Sequence, residues 1–322
     1  MLLRGNILNR TLDAAVAWSA EGSQQGAAQT TSTQSERRRL IVDSQVHIWA
    51  ADTPERPWPP GQAARAHQPT PLTAENLLEK MDAAGVARAV LVPPSWEGDR
   101  NDVVLAAARR YPERFAVMGR LSLEAPESRK EFQSVTRTDG MLGLRFTFHT
   151  KEQQKLLTSG AADWLWPVAA AAGIPLMVHA PHSLPRIDAI AERHPNLRLV
   201  IDHLGLMRPE VDHEAFAHLS GLLALAKRPN IAVKASAVTD YSSEPYPFPI
   251  LHGYLRRVFD AFGPKRIFWG SDISRLRHPY RQLITLFTEE LPWLSKDDTA
   301  WIMGRALCEW LKWPVSIARA DL

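Results

Sequence analysis

The chain has 322 residues, of which 45% are hydrophobic and 23% are charged, enough to bury a large core in one α/β barrel or in two ordinary domains. Its single cysteine, Cys308, excludes a disulfide scaffold, and no uninterrupted apolar run of about 18 residues predicts a membrane-spanning helix. The formal charge of +3 includes five arginines against three acids within residues 1–39, so the near-neutral remainder lacks the basic stripe of a nucleic-acid-binding protein.

The first 39 residues differ in composition from the rest. The segment from Gly22 to Ser35 is mostly Gly, Ser, Thr, Gln and Ala, which bury too little apolar surface to offset the entropy of ordering. We therefore predict a disordered extension over residues 1–39, a single domain over 40–314 and a tail over 315–322. The apolar run that ends at Trp18 is short and interrupted by Asp13, unlike a signal peptide, so we expect a cytoplasmic location, with an organelle-type presequence as the alternative.

Eight short runs rich in apolar and β-branched residues follow one another from Leu40 onward. Their starts are separated by the roughly 30 residues that a strand and its crossover helix require, which indicates repeated βα units. The predicted strands are Leu40–Trp49, Ala87–Pro93, Phe115–Leu121, Met141–Phe146, Ile174–Ala180, Leu197–Leu204, Asn230–Ser236 and Ile267–Asp272.

Helical patterns fill the intervals between these strands. Thr73 is a plausible N-cap of the first helix, and Gly85 ends it just before the second strand. Near-continuous apolar strands are typical of a parallel sheet, and eight that close on themselves form a TIM barrel. An open doubly wound sheet is the alternative, but no Gly-rich turn follows the first strand. Later helices are predicted over Glu152–Ala172, Leu184–His194, Glu214–Lys227, Ile250–Phe262, Tyr280–Leu291 and Asp297–Trp313.

Polar and charged residues stand where the predicted strands end, and in a barrel of this kind the active site is built there. Burying such charges without partners would cost several kcal/mol each, so we expect a mutually satisfied cluster. In chain order these residues are Asp43, Gln45, His47, Arg120, Arg145, His179, Asp202, His203, Lys234, Ser236 and Asp272.

Some of these residues have a structural explanation. We expect Asp43 to be a partner for barrel backbone or a neighbouring base, and Lys234 to be a local counter-charge. Asp202 is equally suited to orienting a histidine and to reacting. Cys308 stands at an apolar position of the last predicted helix, which is typical of a buried thiol rather than a nucleophile.

Several motifs at the strand ends resemble a known family. They are Val42-Asp43-Ser44-Gln45-Val46-His47-Ile48-Trp49, Leu144-Arg145-Phe146, Val178-His179-Ala180, Ile201-Asp202-His203-Leu204-Gly205 and Trp269-Gly270-Ser271-Asp272. In this order they resemble the amidohydrolase superfamily, specifically the amidohydrolase-related group that includes 2-pyrone-4,6-dicarboxylate lactonase, sugar lactonases and related decarboxylases. The likeness spans roughly residues 40–313 and implies a single-domain TIM barrel.

The resemblance implies a set of site residues. It places His47, His179 and Asp272 on metal-ligand positions, with His203 a nearby catalytic or additional ligand position. Imidazole and carboxylate suit Zn²⁺ or Mn²⁺. Gln45, however, stands where the family has its first histidine, and a neutral amide oxygen is a poorer ligand, so both one divalent cation and none are consistent with this sequence.

Hydrolysis of a small anionic lactone is the activity that the resemblance favours. Asp272 would act as general base on water, and His47, His179 and His203 would polarise the carbonyl or stabilise charge on its oxygen. Guanidinium groups suit a substrate carboxylate, and aromatic side chains on the loops suit a flat ring. The predicted substrate-binding residues are Arg120, Arg145, Arg275, Trp49, Trp96 and Tyr241.

Two other functions are consistent with the same residues. A metal-dependent decarboxylase would use the same barrel, with an ion orienting the substrate and Asp272 handling a proton. A barrel that binds an aromatic acid without turning it over would have no need of a general base beside several histidines. We expect a small anionic organic partner, no nucleic acid and no membrane. Homo-oligomers are compatible with the sequence.

Overall fold

The computed structural model describes residues 40–275 and 277–314; the predicted extension over 1–39 and the predicted tail over 315–322 lie outside the described residues. Eight strands occur where the sequence predicts them; β4 is one residue longer than its predicted run, and the other seven are shorter. They are β1 (Val42–Val46), β2 (Arg88–Leu91), β3 (Phe115–Gly119), β4 (Met141–Thr147), β5 (Leu176–His179), β6 (Leu199–Ile201), β7 (Ile231–Ser236) and β8 (Ile267–Gly270).

The eight strands form one sheet in which each strand pairs in parallel with the next, in the order β1 to β8. The backbone N–H of Asp272 donates to Gln45 O (2.8 Å), which links the segment after β8 back to β1. The sheet is therefore a nearly closed barrel, and the TIM-barrel prediction is confirmed. The doubly wound alternative is wrong, because its sheet would reverse strand order at a switch point.

Twelve α-helices occur in the described part of the chain. They are α1 (Ala74–Ala84), α2 (Asp102–Arg110), α3 (Ser128–Thr136), α4 (Lys151–Thr158), α5 (Leu165–Ala172), α6 (Leu184–Arg193), α7 (Asp212–Ala215), α8 (Leu219–Ala224), α9 (Pro249–Phe262), α10 (Tyr280–Thr288), α11 (Lys296–Ala300) and α12 (Ala306–Leu311). None of those in residues 40–275 and 277–314 is both long and apolar enough to cross a bilayer.

The first helix begins and ends as predicted: the Thr73 side chain accepts from Asn76 N, and Gly85 adopts φ +77°. Three of the later helices were each predicted as one continuous helix, but the structure divides each of them into shorter segments. The run 152–172 is broken between α4 and α5 where Gly160 has φ +83°, and the run 214–227 is two short helices followed by a 3-10 turn. The last helix is interrupted by a π-helical turn at Gly304, where a Cβ atom would lie 2.9 Å from Val42 Cγ2 and 3.0 Å from Leu40 O.

Two apolar layers cover the two faces of the barrel wall. The larger packs the helices on the outside of the sheet. The smaller takes alternate strand residues such as Val90, Met118, Met177 and Phe268 and joins them to Leu307 of α12. One end of the barrel is thereby filled with apolar side chains, and polar side chains collect at the end where the strands finish.

Asp43 ties β1 to the segment after β8. Its carboxylate accepts hydrogen bonds from Ser271 N (2.8 Å), the Ser271 hydroxyl and the Tyr280 hydroxyl (2.6 Å). The predicted structural role of Asp43 is confirmed by these contacts. Gly270 lies at the same seam, where a Cβ atom would come within 2.5 Å of Ser44 Oγ, so the two strands approach closely only because this residue has no side chain.

Candidate active site

A cavity of about 370 Å³ opens where the strands end. Seven residues of the predicted site line it, and they come from strand ends and loops throughout the barrel: His47, Trp96, Arg145, His179, His203, Tyr241 and Arg275. Strand ends of a closed parallel barrel meet at one rim, which is why residues so distant in sequence share one cavity.

Two predicted substrate-binding residues do not line this cavity. The Trp49 ring is buried and packs edge-on against Trp96, with ring centroids 5.3 Å apart, so Trp96 is the ring that the cavity meets. Arg120 turns toward Asp99 on the loop after β2, with Nε 3.4 Å from Oδ1. Neither Trp49 nor Arg120 lines the cavity, and a substrate-binding role for either stays a prediction.

Asp272 does not itself line this cavity; it is fully buried directly behind two residues that do, His47 and Arg275. Its Oδ1 lies 3.3 Å from His47 Nε2 without accepting a hydrogen bond, and its Oδ2 lies 3.4 Å from Arg275 Nη1. Burial by itself raises the pKa of Asp272, but the attraction of His47, Arg275 and His203 holds it below its ordinary value. The carboxylate is therefore ionised at neutral pH and keeps one oxygen free.

The backbone holds two of these residues in a sparsely populated conformation. His203 has φ +55° and Asp272 has φ +53°, both in the left-handed region that non-glycine residues rarely adopt. Each stands two residues after the last residue of its strand, β6 and β8 respectively. Such strain of about 1–3 kcal/mol per residue is typical of sites where side-chain direction matters more than stability.

His47 uses both ring nitrogens within the protein. Its Nδ1 donates to Val92 O (2.7 Å), and its Nε2 lies 3.2 Å from the Gln45 amide nitrogen. The Gln45 amide oxygen accepts from Lys234 Nζ (2.7 Å). Burial lowers the pKa of His47 to about 4, so the ring is neutral near pH 7.

His179 and His203 lie at right angles, with ring centroids 5.3 Å apart. His179 Nε2 donates to Leu206 O (3.0 Å), and His203 Nδ1 lies 2.9 Å from Ser236 Oγ. Burial lowers the pKa of His203 to about 4 and that of His179 well below its ordinary value. Neither ring carries a charge at neutral pH, so each can act only as a neutral donor or acceptor.

Arg145 combines a structural contact with access to the cavity. Its Nε donates to Asp202 Oδ2 (2.9 Å) and its Nη1 donates to Thr147 Oγ1 (2.9 Å). Lys234 Nζ lies 3.0 Å from the other oxygen of Asp202. Asp202 is therefore the counter-ion of two cations and does not orient a histidine ring, and the counter-charge prediction for Lys234 is confirmed.

Four basic residues that the sequence did not single out also line the cavity: Arg65, His67, His149 and Arg208. His67 packs edge-on to Trp96 (4.5 Å between ring centroids), and its Nδ1 lies 2.9 Å from Ser274 Oγ. Arg65 donates to His149 Nε2 (3.5 Å), and Arg208 forms an ion pair with Asp240. Their one sequence signal is that each lies on the segment that follows a predicted strand.

The resemblance implies a divalent ion held by His47, His179 and Asp272, and the donor chemistry can be tested. The Nε2 lone pair of His47 faces the Gln45 amide, and the Gln45 oxygen faces the Lys234 ammonium. His179 has Nε2 bound to a carbonyl oxygen. Within residues 40–275 and 277–314, no three His, Cys, Asp or Glu side chains are grouped to hold a metal ion. This donor set does not fit the implied ion, because His47 and His179 have these ring nitrogens engaged within the protein. In addition, a lysine cation takes the amide oxygen of Gln45, which stands at the position of the family's first histidine.

Comparisons with known proteins agree with this fold. The model of the amidohydrolase family matches residues 42–315. The chain is 30% identical over 255 residues to L-fucono-1,5-lactonase of Burkholderia ambifaria, covering 73% of this chain and 81% of that protein. It is 26% identical over 238 residues to 4-sulfomuconolactone hydrolase of Hydrogenophaga intermedia, covering 71% and 73%. A crystal structure of an amidohydrolase from Burkholderia multivorans with bound zinc, 22% identical, aligns with a TM-score of 0.70 over 85% of this chain and 100% of its own. This chain belongs to the amidohydrolase family.

Proposed function

We propose that this enzyme hydrolyses a small anionic lactone, with Asp272 as general base. One observation carries the proposal: a buried, ionised carboxylate keeps one oxygen without a hydrogen bond, next to histidines that line a cavity at the barrel rim. A group of this kind is suited to taking a proton from water. Two curated relatives bear the names of lactone-hydrolysing enzymes, which supports the same reaction class.

The reaction follows from the charges around the carboxylate. Asp272 Oδ1 removes a proton from a water molecule as its oxygen attacks the lactone carbonyl carbon. His203 Nδ1 lies 2.9 Å from Ser236 Oγ and 3.4 Å from Ser236 O. The reaction uses the tautomer in which Nδ1 accepts from the closer hydroxyl, because the ring proton then lies on Nε2 as a neutral N–H donor for the developing oxyanion. The ring C–O bond then breaks, and the departing oxygen takes the proton from Asp272. The product is the open-chain hydroxy acid, and the carboxylate is restored.

In this mechanism His47 does not polarise the lactone carbonyl, which is the role that the sequence suggested for it. Both of its ring nitrogens are engaged, one with Val92 O and one with the Gln45 amide. It has no N–H left to polarise a carbonyl. The N–H of His179 is likewise donated to Leu206 O, so we assign carbonyl polarisation to His203 alone and positioning roles to His47 and His179.

The charge of the cavity favours an anionic substrate. Four arginines line it, Arg65, Arg145, Arg208 and Arg275, and the acids that face them are Asp202, Asp240 and the proposed base. Arg65 contacts Gln62 and His149 and has no acidic partner among the described residues. Guanidinium groups bind carboxylate or sulfonate oxygens in pairs, so a lactone that carries such a group fits better than a neutral sugar lactone.

The proposal is tested with purified protein and a panel of lactones. The panel contains a carboxylated pyrone, a carboxylated muconolactone and a neutral sugar δ-lactone, each followed by proton release at constant pH with and without a chelator. We expect turnover of at least one anionic lactone, unchanged by chelation and without release of CO₂. Release of CO₂ from a carboxylated aromatic acid, dependent on added Zn²⁺ or Mn²⁺, would replace this function by the decarboxylase. Tight binding of the anions without any turnover would replace it by the non-catalytic barrel.

A further inference from the structure

A lysine with no access to solvent lies beneath the proposed site. Lys234 is on β7, its side chain is 0% exposed, and its Nζ contacts Gln45 Oε1 (2.7 Å) and Asp202 Oδ1 (3.0 Å). It does not line the cavity, and both of these contacts occupy its ammonium group within the protein. Asp202 is already paired with Arg145 through its other oxygen, and the lysine therefore does more than supply a missing counter-ion.

The lysine determines which way the Gln45 amide faces. An ammonium group only donates hydrogen bonds, so the atom next to Lys234 Nζ must be the amide oxygen. The amide nitrogen is then the atom 3.2 Å from His47 Nε2, and as a donor it requires a lone pair on that nitrogen. The ring proton lies on Nδ1, where it is donated to Val92 O at 2.7 Å. Lys234 thus reaches the histidine through one side chain on β1.

This arrangement matters because of what stands on the other side of His47. Asp272 Oδ1 is 3.3 Å from the same Nε2 and accepts no hydrogen bond. A proton on Nε2 would be donated to this oxygen and would make the carboxylate a weaker base. As long as the Gln45 amide occupies the Nε2 lone pair, Asp272 Oδ1 stays free.

We propose that Lys234 is a positioning residue for hydrolysis: while the Val92 carbonyl holds one ring proton of His47 on Nδ1, Lys234 acts through Gln45 to keep Nε2 without a proton, and so leaves the Asp272 carboxylate free to accept a proton from water. This inference rests on the proposed lactone hydrolysis for its kinetic consequence, but the location of the ring proton is independent of any substrate. The buried lysine therefore supports catalysis from a position about two side chains away from the reacting atoms.

Three variants test the relay on full-length protein. Lys234→Met removes the ammonium at similar length, Gln45→Met removes the amide while the ion pair of Lys234 with Asp202 stays, and Gln45→Glu keeps the oxygen that accepts from Lys234 but lacks the N–H. For each we expect kcat to fall about 10- to 100-fold on the best lactone while KM stays within about threefold. The double variant Lys234→Met with Gln45→Met should lose no more than the larger single effect, because both act in one chain of contacts.

Nitrogen NMR of protein labelled in histidine supplies the second readout, with His47 assigned from the signal lost in His47→Asn. In the native protein we expect Nδ1 to be protonated and Nε2 unprotonated, and in the variants a proton on Nε2. A native ring that is protonated at Nε2, a Gln45→Glu variant with native kcat, or losses that multiply in the double variant would each overturn the relay. If Lys234→Met fails to fold, the two Gln45 variants decide the question. A native protein that hydrolyses no lactone refutes the proposed function alone, since the NMR signals need no turnover.

Discussion

His47 Nε2 and Asp272 Oδ1 lie 3.3 Å apart at the place where the first and last strands of the barrel meet. The contact is close enough for a hydrogen bond, yet the Asp272 oxygen accepts none. The backbone supports this position, since Asp272 N–H donates to Gln45 O, two residues before His47. The carboxylate is thus held firmly, with Oδ2 paired with Arg275 and Oδ1 left available to accept a proton, as a general base requires.

Replacing the proposed base tests its role directly. Asp272→Asn keeps the size of the side chain but removes the proton acceptor, so we expect kcat on an anionic lactone to fall by about 10³-fold, within the usual range for loss of a general base. The midpoint of urea unfolding should change little, because the amide oxygen can replace Oδ2 beside Arg275 and the amide nitrogen can replace Oδ1, which makes no hydrogen bond.

A surface carboxylate serves as the control for this substitution. Asp260→Asn alters an exposed acid of α9 that pairs with Arg256, and it should leave kcat within about twofold. Near-native turnover by Asp272→Asn would remove Asp272 from the role of base, whatever the control shows.

The dependence of activity on pH follows from the buried histidines. Burial lowers the pKa of His47 and of His203 to about 4, although Asp272 draws both upward. Both rings are then neutral above about pH 5 and gain a proton only below it. We expect kcat/KM to be flat from about pH 8 to 5 and to fall toward pH 4, after subtraction of spontaneous lactone hydrolysis. A midpoint near 6.5, the ordinary value for imidazole, would contradict the buried neutral rings.

Arg65 offers a test of substrate charge that does not disturb the core. The side chain is exposed at the cavity wall and has no acidic partner among the described residues, so its loss should not destabilise the fold. For Arg65→Gln we expect KM for a carboxylated lactone to rise about tenfold while kcat stays within twofold, in line with about 1.4 kcal/mol for one charged contact.

The matched control for this arginine is Arg256→Gln, which removes an exposed guanidinium on α9. It should change neither constant, and neither variant should alter turnover of a neutral lactone. Equal KM effects of Arg65→Gln on neutral and anionic lactones would show that Arg65 does not recognise charge.

Protonation of Asp43 is expected to make the free energy of unfolding depend on pH. Burial raises the pKa of Asp43 from 3.8 to about 6, although hydrogen bonds from Ser271 and Tyr280 act in the opposite direction. The folded protein therefore binds this proton more tightly than the unfolded chain does. The stabilisation that the folded state gains from protonated Asp43 is complete below about pH 3.8 and is lost as the pH rises through about 6.

Asp43→Asn isolates this contribution, because the amide does not titrate. Relative to the variant, the native free energy of unfolding should be about 1 kcal/mol higher at pH 5 than at pH 7. Urea unfolding of both proteins at the two pH values measures the difference. A native protein that gains stability relative to the variant as the pH rises would show the opposite sign and contradict the raised pKa.

Much of the fold could be predicted because it depends on local patterns. The apolar runs and their spacing indicate parallel strands, and period-2 geometry places Asp43, Gln45 and His47 on one face of β1. The strand-end rule then brings His179, His203 and Asp272 to one rim. These inferences need no knowledge of side-chain conformation, because the carboxyl ends of all strands lie at the same end of a closed parallel barrel.

The tertiary structure decided everything that depends on how side chains turn and how loops fold. The sequence alone does not show that Lys234 meets Gln45 across the barrel, that Trp49 lies behind Trp96, or that the long β1–α1 loop brings Arg65 and His67 to the cavity. Strand periodicity is a property of the backbone, which neighbouring residues in the chain specify. Hydrogen-bond partners in the interior come from residues far apart in the chain, and only packing in three dimensions selects among them.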